Sequence, residues 1–232
     1  MKLLMLATFL FFQATAQAQT IETNELVIHN APSWLTSSRV QSVVDGVQTT
    51  MEWDIRKIQV TWYTDPAEFE KLHGTGASVL AFARRTDNTL HVGPRVDSSN
   101  FDGVFGHELV HIIVFQKYRN AIPGWLDEGL ANYAAKRVSI DYNWLAREPY
   151  RDVSTLTHPF QGANTSGVTI PTSARYSYMA STSLMEMIAH HCDIHDLLQL
   201  SVGKKLETYL GTFCDISDVN TEFQKWIKSK AR

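Results

Sequence analysis

The chain has no basic stripe, no internal repeat, no low-complexity tract and, beyond its first dozen residues, no run apolar enough to cross a membrane. Its 24 acidic and 21 basic residues are interspersed and leave a formal charge of −3. A nucleic-acid partner requires a face that neutralises phosphates, so that class of partner is not expected. Cysteine is scarce. Cys192 and Cys214 are the only two, and neither lies near the N-terminus, where a lipid would be attached.

What the N-terminus does contain is Lys2 followed by an apolar run, Leu3 to Phe12, too short to span a bilayer. Ala16 and Ala18 then occupy the −3 and −1 positions of an A-x-A cleavage site. This predicts a signal peptide over residues 1–18, cut after Ala18 or, as second choice, after Ala16. An uncleaved N-terminal anchor is the alternative. The remaining chain, 19–232, has the size of a single domain and is expected to be exported, periplasmic or secreted, with no stable membrane insertion after cleavage. In such a compartment an even cysteine count favours a Cys192–Cys214 disulfide, worth ~3 kcal/mol if unstrained, over two buried thiols.

Hydrophobic periodicity predicts an α+β fold: a small mixed or antiparallel sheet in residues 19–118, packed on a buried helix, and a mainly helical part over 119–232. Glu25 to His29 reads as a strand. A helix then opens around Ala31-Pro32-Ser33-Trp34, with Ser33 as cap and Leu35, Val40, Val43, Val44 and Val47 at helical spacing. Ile58 to Tyr63 alternates as a strand and stops at Asp65-Pro66. Ser78 to Arg84 and Thr89 to Val92 form a hairpin about Asp87-Asn88. Asp102 to Tyr118 is apolar nearly all round and predicts a buried helix. After the Pro123-Gly124 break comes a helix from Trp125 to about Val138, then a long irregular stretch over 141–175. Helices follow over Tyr176 to His191, Ile194 to Ser201 and Thr221 to Ser229.

Chemistry concentrates in His107-Glu108-Leu109-Val110-His111. Residues i and i+4 share a helix face, so both imidazoles can reach one ion, while Glu108 beside them can take a proton from water. A catalytic metal needs a third protein ligand and an open position. A metzincin ligand set would require glycine at 114 and histidine at 117, where Val114 and Lys117 stand. A gluzincin set takes a glutamate from the next helix, and Trp125-Leu126-Asp127-Glu128-Gly129-Leu130-Ala131 offers Glu128, with Asp127 as the alternative.

The pairing of His107-Glu-Leu-Val-His111 with Pro123-Gly-Trp-Leu-Asp-Glu128-Gly-Leu-Ala resembles the gluzincin zinc metallopeptidases, in particular small exported members often called peptidase MA-like. The resemblance is specific over about residues 102 to 135. Outside that window it rests on the hairpin, on Leu156 and Phe160, on a Tyr178-x-x-Ser181 helix start and on a closing helix around Trp226. It implies a zincin-like fold, one Zn2+ per chain held by His107, His111 and Glu128, a peptide or protein substrate, and hydrolysis with Glu108 as general base. In this group a later tyrosine or histidine commonly supports the oxyanion; Tyr178 matches best, with Tyr176 and His191 as competitors. Relatives carry an aspartate where Asn132 stands, so the partner that orients a ligand histidine is not legible here. A peptide would add to a sheet edge, either Val79 to Ala83 or Leu90 to Val92. Catalytically silent binding on the same scaffold is the rival function.

Three further features have ordinary readings. His190, His191, Cys192 and His195 resemble a metal cluster, but histidines suit a helix C-terminus and Cys192 has a disulfide partner available. The tryptophans are expected in the core. Asn164-Thr165-Ser166 is a short match to a glycosylation acceptor.

Overall fold

The computed structural model describes residues 19–74, 79–156 and 172–232. The expected leader, Ser78, Phe160 and the Asn164 acceptor lie outside these residues. A five-stranded mixed sheet forms one layer, in the order β1-β2-β3-β5-β4. Its strands are β1 (Gln19–Glu22), β2 (Leu26–Ala31), β3 (Ile58–Trp62), β4 (Ala81–Arg84) and β5 (Thr89–Val92). The two internal pairings, β2 with β3 and β3 with β5, are parallel; β1 and β4 run antiparallel to their neighbours at the edges. Parallel pairing requires crossover connections, and α1 (Ser37–Met51) supplies the one between β2 and β3.

The helix expected to open near Ser33 begins later, because β2 continues to Ala31, which still pairs with Gln19. Pro32 to Leu35 is a turn closed by Leu35 N–H donating to the Pro32 carbonyl at 3.0 Å. The Gln19 amide also donates to the Pro32 and Leu35 carbonyls. Thr36 is the cap, accepting from the Arg39 N–H. From there Val40, Val44, Val47 and Met51 recur on one buried face within the core. A helix that went unread, α2 (Pro66–His73), starts where the strand reading stopped: Asp65 caps it and Pro66 takes its first turn.

The hairpin forms as expected, and it leaves β4 at the edge and β5 inside the sheet. Against it lies α3 (Phe101–Ile113), buried at every position except Asp102 and Gly103. Arg39 holds the start of α3, donating to Asp102 at 2.8 Å and to the Ser98 carbonyl at 2.7 Å. The helix winds out through a wider π-helical turn, Val114–Tyr118. Gln116 inside this turn accepts from Trp53 Nε1 and Arg56 N, and donates to the Arg56 carbonyl and Asn88 Oδ1. A single buried amide therefore ties the end of α3 to the segment before β3 and to the hairpin turn.

The second half is helical. α4 (Gly124–Ala134) packs between α3 and α6 (Thr172–His191). Part of the stretch expected to be irregular is ordered instead: Asp141 caps α5 (Tyr142–Arg147), and Asp152 caps a 3-10 turn, Val153–Thr155. These short caps give no long apolar period to read. α7 (Ile194–Leu200), the unanticipated α8 (Glu207–Phe213) and α9 (Val219–Lys230) complete the chain. Cys192, at the end of α6, is bridged to Cys214 after α8, with Cα atoms 4.8 Å apart. No described helix is long and apolar enough to cross a membrane.

Candidate metal centre

α3 presents His107 and His111 one turn apart on the side that meets α4, and α4 brings Glu128 to the same point. His107 Nε2 and His111 Nε2 lie 3.2 Å apart. Glu128 Oε2 is 3.4 Å from His107 Nε2, and its Oε1 is 3.5 Å from His111 Nε2. All three residues are buried, and among the described residues they are the one group whose donor atoms converge in the way a metal ion requires. The three separations compare with the edge of a tetrahedron around an ion, about 3.4 Å for bonds of about 2.1 Å. The donor set therefore fits a metal ion.

The orientation of His111 comes from the neighbour of the third ligand. Its Nδ1 lies 3.3 Å from Asp127 Oδ1, so Nδ1–H donates to that carboxylate and Nε2 is the nitrogen that faces the centre. Arg85, directly after β4, donates to the other oxygen, Asp127 Oδ2, at 2.6 Å. Asp127 is thereby turned away from the donor triangle, and the alternative in which it replaces Glu128 is not what the fold brings together. A chain of contacts thus runs from the sheet edge to the metal donors: Arg85, Asp127, His111. Sequence spacing offered no sign of Arg85, since it lies more than twenty residues before the motif.

Asn132, where an aspartate was the expected orienting group, donates to Thr182 Oγ1 at 3.1 Å, and Thr182 donates to the Tyr178 carbonyl at 2.7 Å. It fastens α4 to α6. Nδ1 of His107 has no hydrogen-bond partner among the described residues.

The protein's own charges at the centre are those of acids gathered around histidines. Burial works against a charged His111, but Asp127, Glu128 and Glu108 outweigh it and push its pKa up to about 9. Burial likewise opposes an ionised Asp127, yet the charges of His111 and Arg85 hold its carboxyl far below the usual carboxylate range.

Tyr178 lies on the first turns of α6. Its pKa is raised, first by burial and then by the nearby Glu128 charge, with Arg137 acting in the opposite sense and Glu108 adding to the rise. Its phenol is thus within the field of both motif glutamates. The approach of α6 to α4 depends on Gly129: a Cβ there would collide with the Ser181 carbonyl oxygen. Only glycine allows that backbone contact beside Glu128. The competing candidates are occupied elsewhere. Tyr176 accepts from the Arg151 N–H and stacks under its guanidinium, while His191 is exposed and roughly 20 Å further along the same helix at about 1.5 Å per residue.

The second histidine group does not converge. Cys192 is in its disulfide, His195 Nδ1 pairs with Glu52 at 3.1 Å, and His190 packs on Trp226. No family model matches the chain, and no curated protein matches it at a significant level.

Proposed function

We propose that the chain is a zinc-dependent peptidase of the gluzincin type, on a zincin-like fold, with His107, His111 and Glu128 as ligands and Glu108 as general base. The observation that carries this reading is the meeting of three buried Lewis-base donors from two helices, with Glu108 next to them and no basic side chain among them. Two imidazoles and one carboxylate suit zinc, whereas calcium and magnesium favour all-oxygen shells.

Zinc held there supplies Lewis acidity, which makes water a nucleophile at neutral pH and polarises a carbonyl. Glu108 accepts the proton released as the water oxygen bonds to the scissile carbon. It returns that proton to the amine nitrogen as the C–N bond breaks. Tyr178, whose raised pKa keeps the phenol protonated, donates a hydrogen bond to the developing oxyanion. Asp127 keeps His111 in the tautomer that offers Nε2. A peptide substrate adds along the exposed edge of β4, whose backbone leads to Arg85 and so to the centre. The disulfide agrees with an exported chain, periplasmic or secreted.

Metal analysis of protein purified without chelator is the first test, with one zinc per chain expected. Absence of bound zinc, together with no thermal stabilisation on adding it, would remove the reading. Retained peptide cleavage in Glu108→Gln would remove Glu108 from its role.

A further inference from the structure

A cleft of about 600 Å³ opens beside the centre, on the outer side of Asp127, and its volume is that of a ligand pocket. Its walls carry Arg85, Arg119, Lys205 and Trp125, with Glu207 and Asp127 as the acidic groups. Asp127 is already engaged by Arg85 and His111. Arg119 has no ion pair among the described residues; its guanidinium rests on the Phe115 ring at 4.6 Å. Leu206 N–H donates to the Ala121 carbonyl at 2.9 Å, which pins the segment bearing Lys205 against the turn bearing Arg119.

The backbone at Arg119 is unusual. Where the π-helical turn ends, the Ala121 N–H donates to the Tyr118 carbonyl at 2.9 Å, closing a four-residue turn. Arg119 occupies its second position at φ 52° and ψ −117°. Those angles belong to a type II′ turn, in a region that glycine ordinarily fills. An arginine there strains the backbone, and strain of this kind persists at sites where the side chain has a task. The turn sets Arg119 and Lys205 on one cleft, adjoining a centre suited to cutting peptides.

From this we infer that the cleft is a carboxylate-binding subsite, in which Arg119 and Lys205 hold an acidic group of the peptide substrate. The inference rests on the peptidase reading. The carboxylate belongs either to an acidic side chain or to the free C-terminus of the substrate, and the two sources are chemically equivalent to the cleft.

The test uses zinc-loaded Glu108→Gln protein, titrated by fluorescence anisotropy with labelled hexapeptides. In these, Glu replaces Gln at each position in turn, and each peptide carries a free or an amidated C-terminus. Binding of one acidic form is expected to be roughly tenfold tighter than of its neutral twin, the worth of one charge-assisted hydrogen bond. Whether the preference follows a Glu position or the free terminus identifies the source. Adding Arg119→Gly should bring that ratio near one while zinc content is kept and the melting temperature holds or rises, because glycine relieves the turn. Should that variant fold poorly, Arg119→Gln removes the charge while keeping an unbranched polar side chain at the turn, and gives the same comparison. The wild-type protein is assayed in parallel for cleavage of the same set. An acid preference without cleavage supports the subsite and removes the peptidase reading. No acid preference, with or without cleavage, overturns the subsite, as does a preference that survives both Arg119→Gly and Lys205→Gln.

Discussion

Two regions of the chain are rich in the same side chains and differ in what they make of them. His107 and His111 sit one turn apart on a helix buried from both sides, and facing them is a second helix whose Asp127 and Glu128 add carboxylates. His190, His191 and His195 lie where α6 ends and α7 begins, close to solvent, and each follows its own neighbour. Burial is the difference. A polar donor in the core must find a partner, and several donors of one kind in the same place can share only a cation or a proton. At a surface, water satisfies each histidine separately, so proximity in sequence creates no site.

The contrast can be attacked most strongly at Glu108. Replacing it by Gln should leave the metal in place and lower peptide turnover by about 10²–10⁴-fold, measured as steady-state cleavage alongside zinc content. Next is the contact that holds α4 to α6. Gly129→Ala should destabilise the protein by about 1–3 kcal/mol in thermal unfolding, since the new methyl meets the Ser181 backbone rather than a flexible side chain.

Removing the group that orients His111 acts on the metal itself. Asp127→Ala should weaken zinc binding by about 10–100-fold in a chelator competition; an unchanged affinity would mean that His111 needs no orienting partner. The fourth test uses pH. With its pKa pushed up to about 9, His111 must give up a proton to bind the ion, so zinc affinity should fall roughly tenfold for each unit below that pH. In the metal-free protein the sign is reversed: the charged His111 adds stability below about pH 6.5, and this contribution fades as pH rises through about 9. The smallest effect belongs to the other region. Converting His190, His191 and His195 to Gln together should leave zinc content at one per chain, and any loss of metal would erase the distinction between the two groups.

Much of the scaffold was legible because its periods are long and clean. The α3 span, the β4–β5 hairpin and the approximate extents of α6, α7 and α9 follow from apolar spacing and turn residues. What went unread was short or tertiary in origin. α8 and the elements within 141–156 are too brief to show a period, and the start of α1 moved because Ala31 is held in the sheet by Gln19.

The same division runs through the centre. The spacing of His107, His111 and Glu128 is a property of the sequence, since four residues make one helical turn and an apolar helix must be buried. Resemblance favoured Glu128 over its neighbour Asp127 as the third ligand, and the fold shows how the two are separated. Neighbours on a helix point about 100° apart, and Arg85, delivered by the end of a distant edge strand, holds the Asp127 carboxylate outside the triangle that Glu128 completes. The choice of edge strand likewise arises from strand order, and the placing of Arg119 and Lys205 on one cleft arises from a backbone hydrogen bond between segments far apart in the chain. Local periodicity is written into the order of residues; the direction in which a charged side chain turns is decided by whichever opposite charge the completed fold puts within reach.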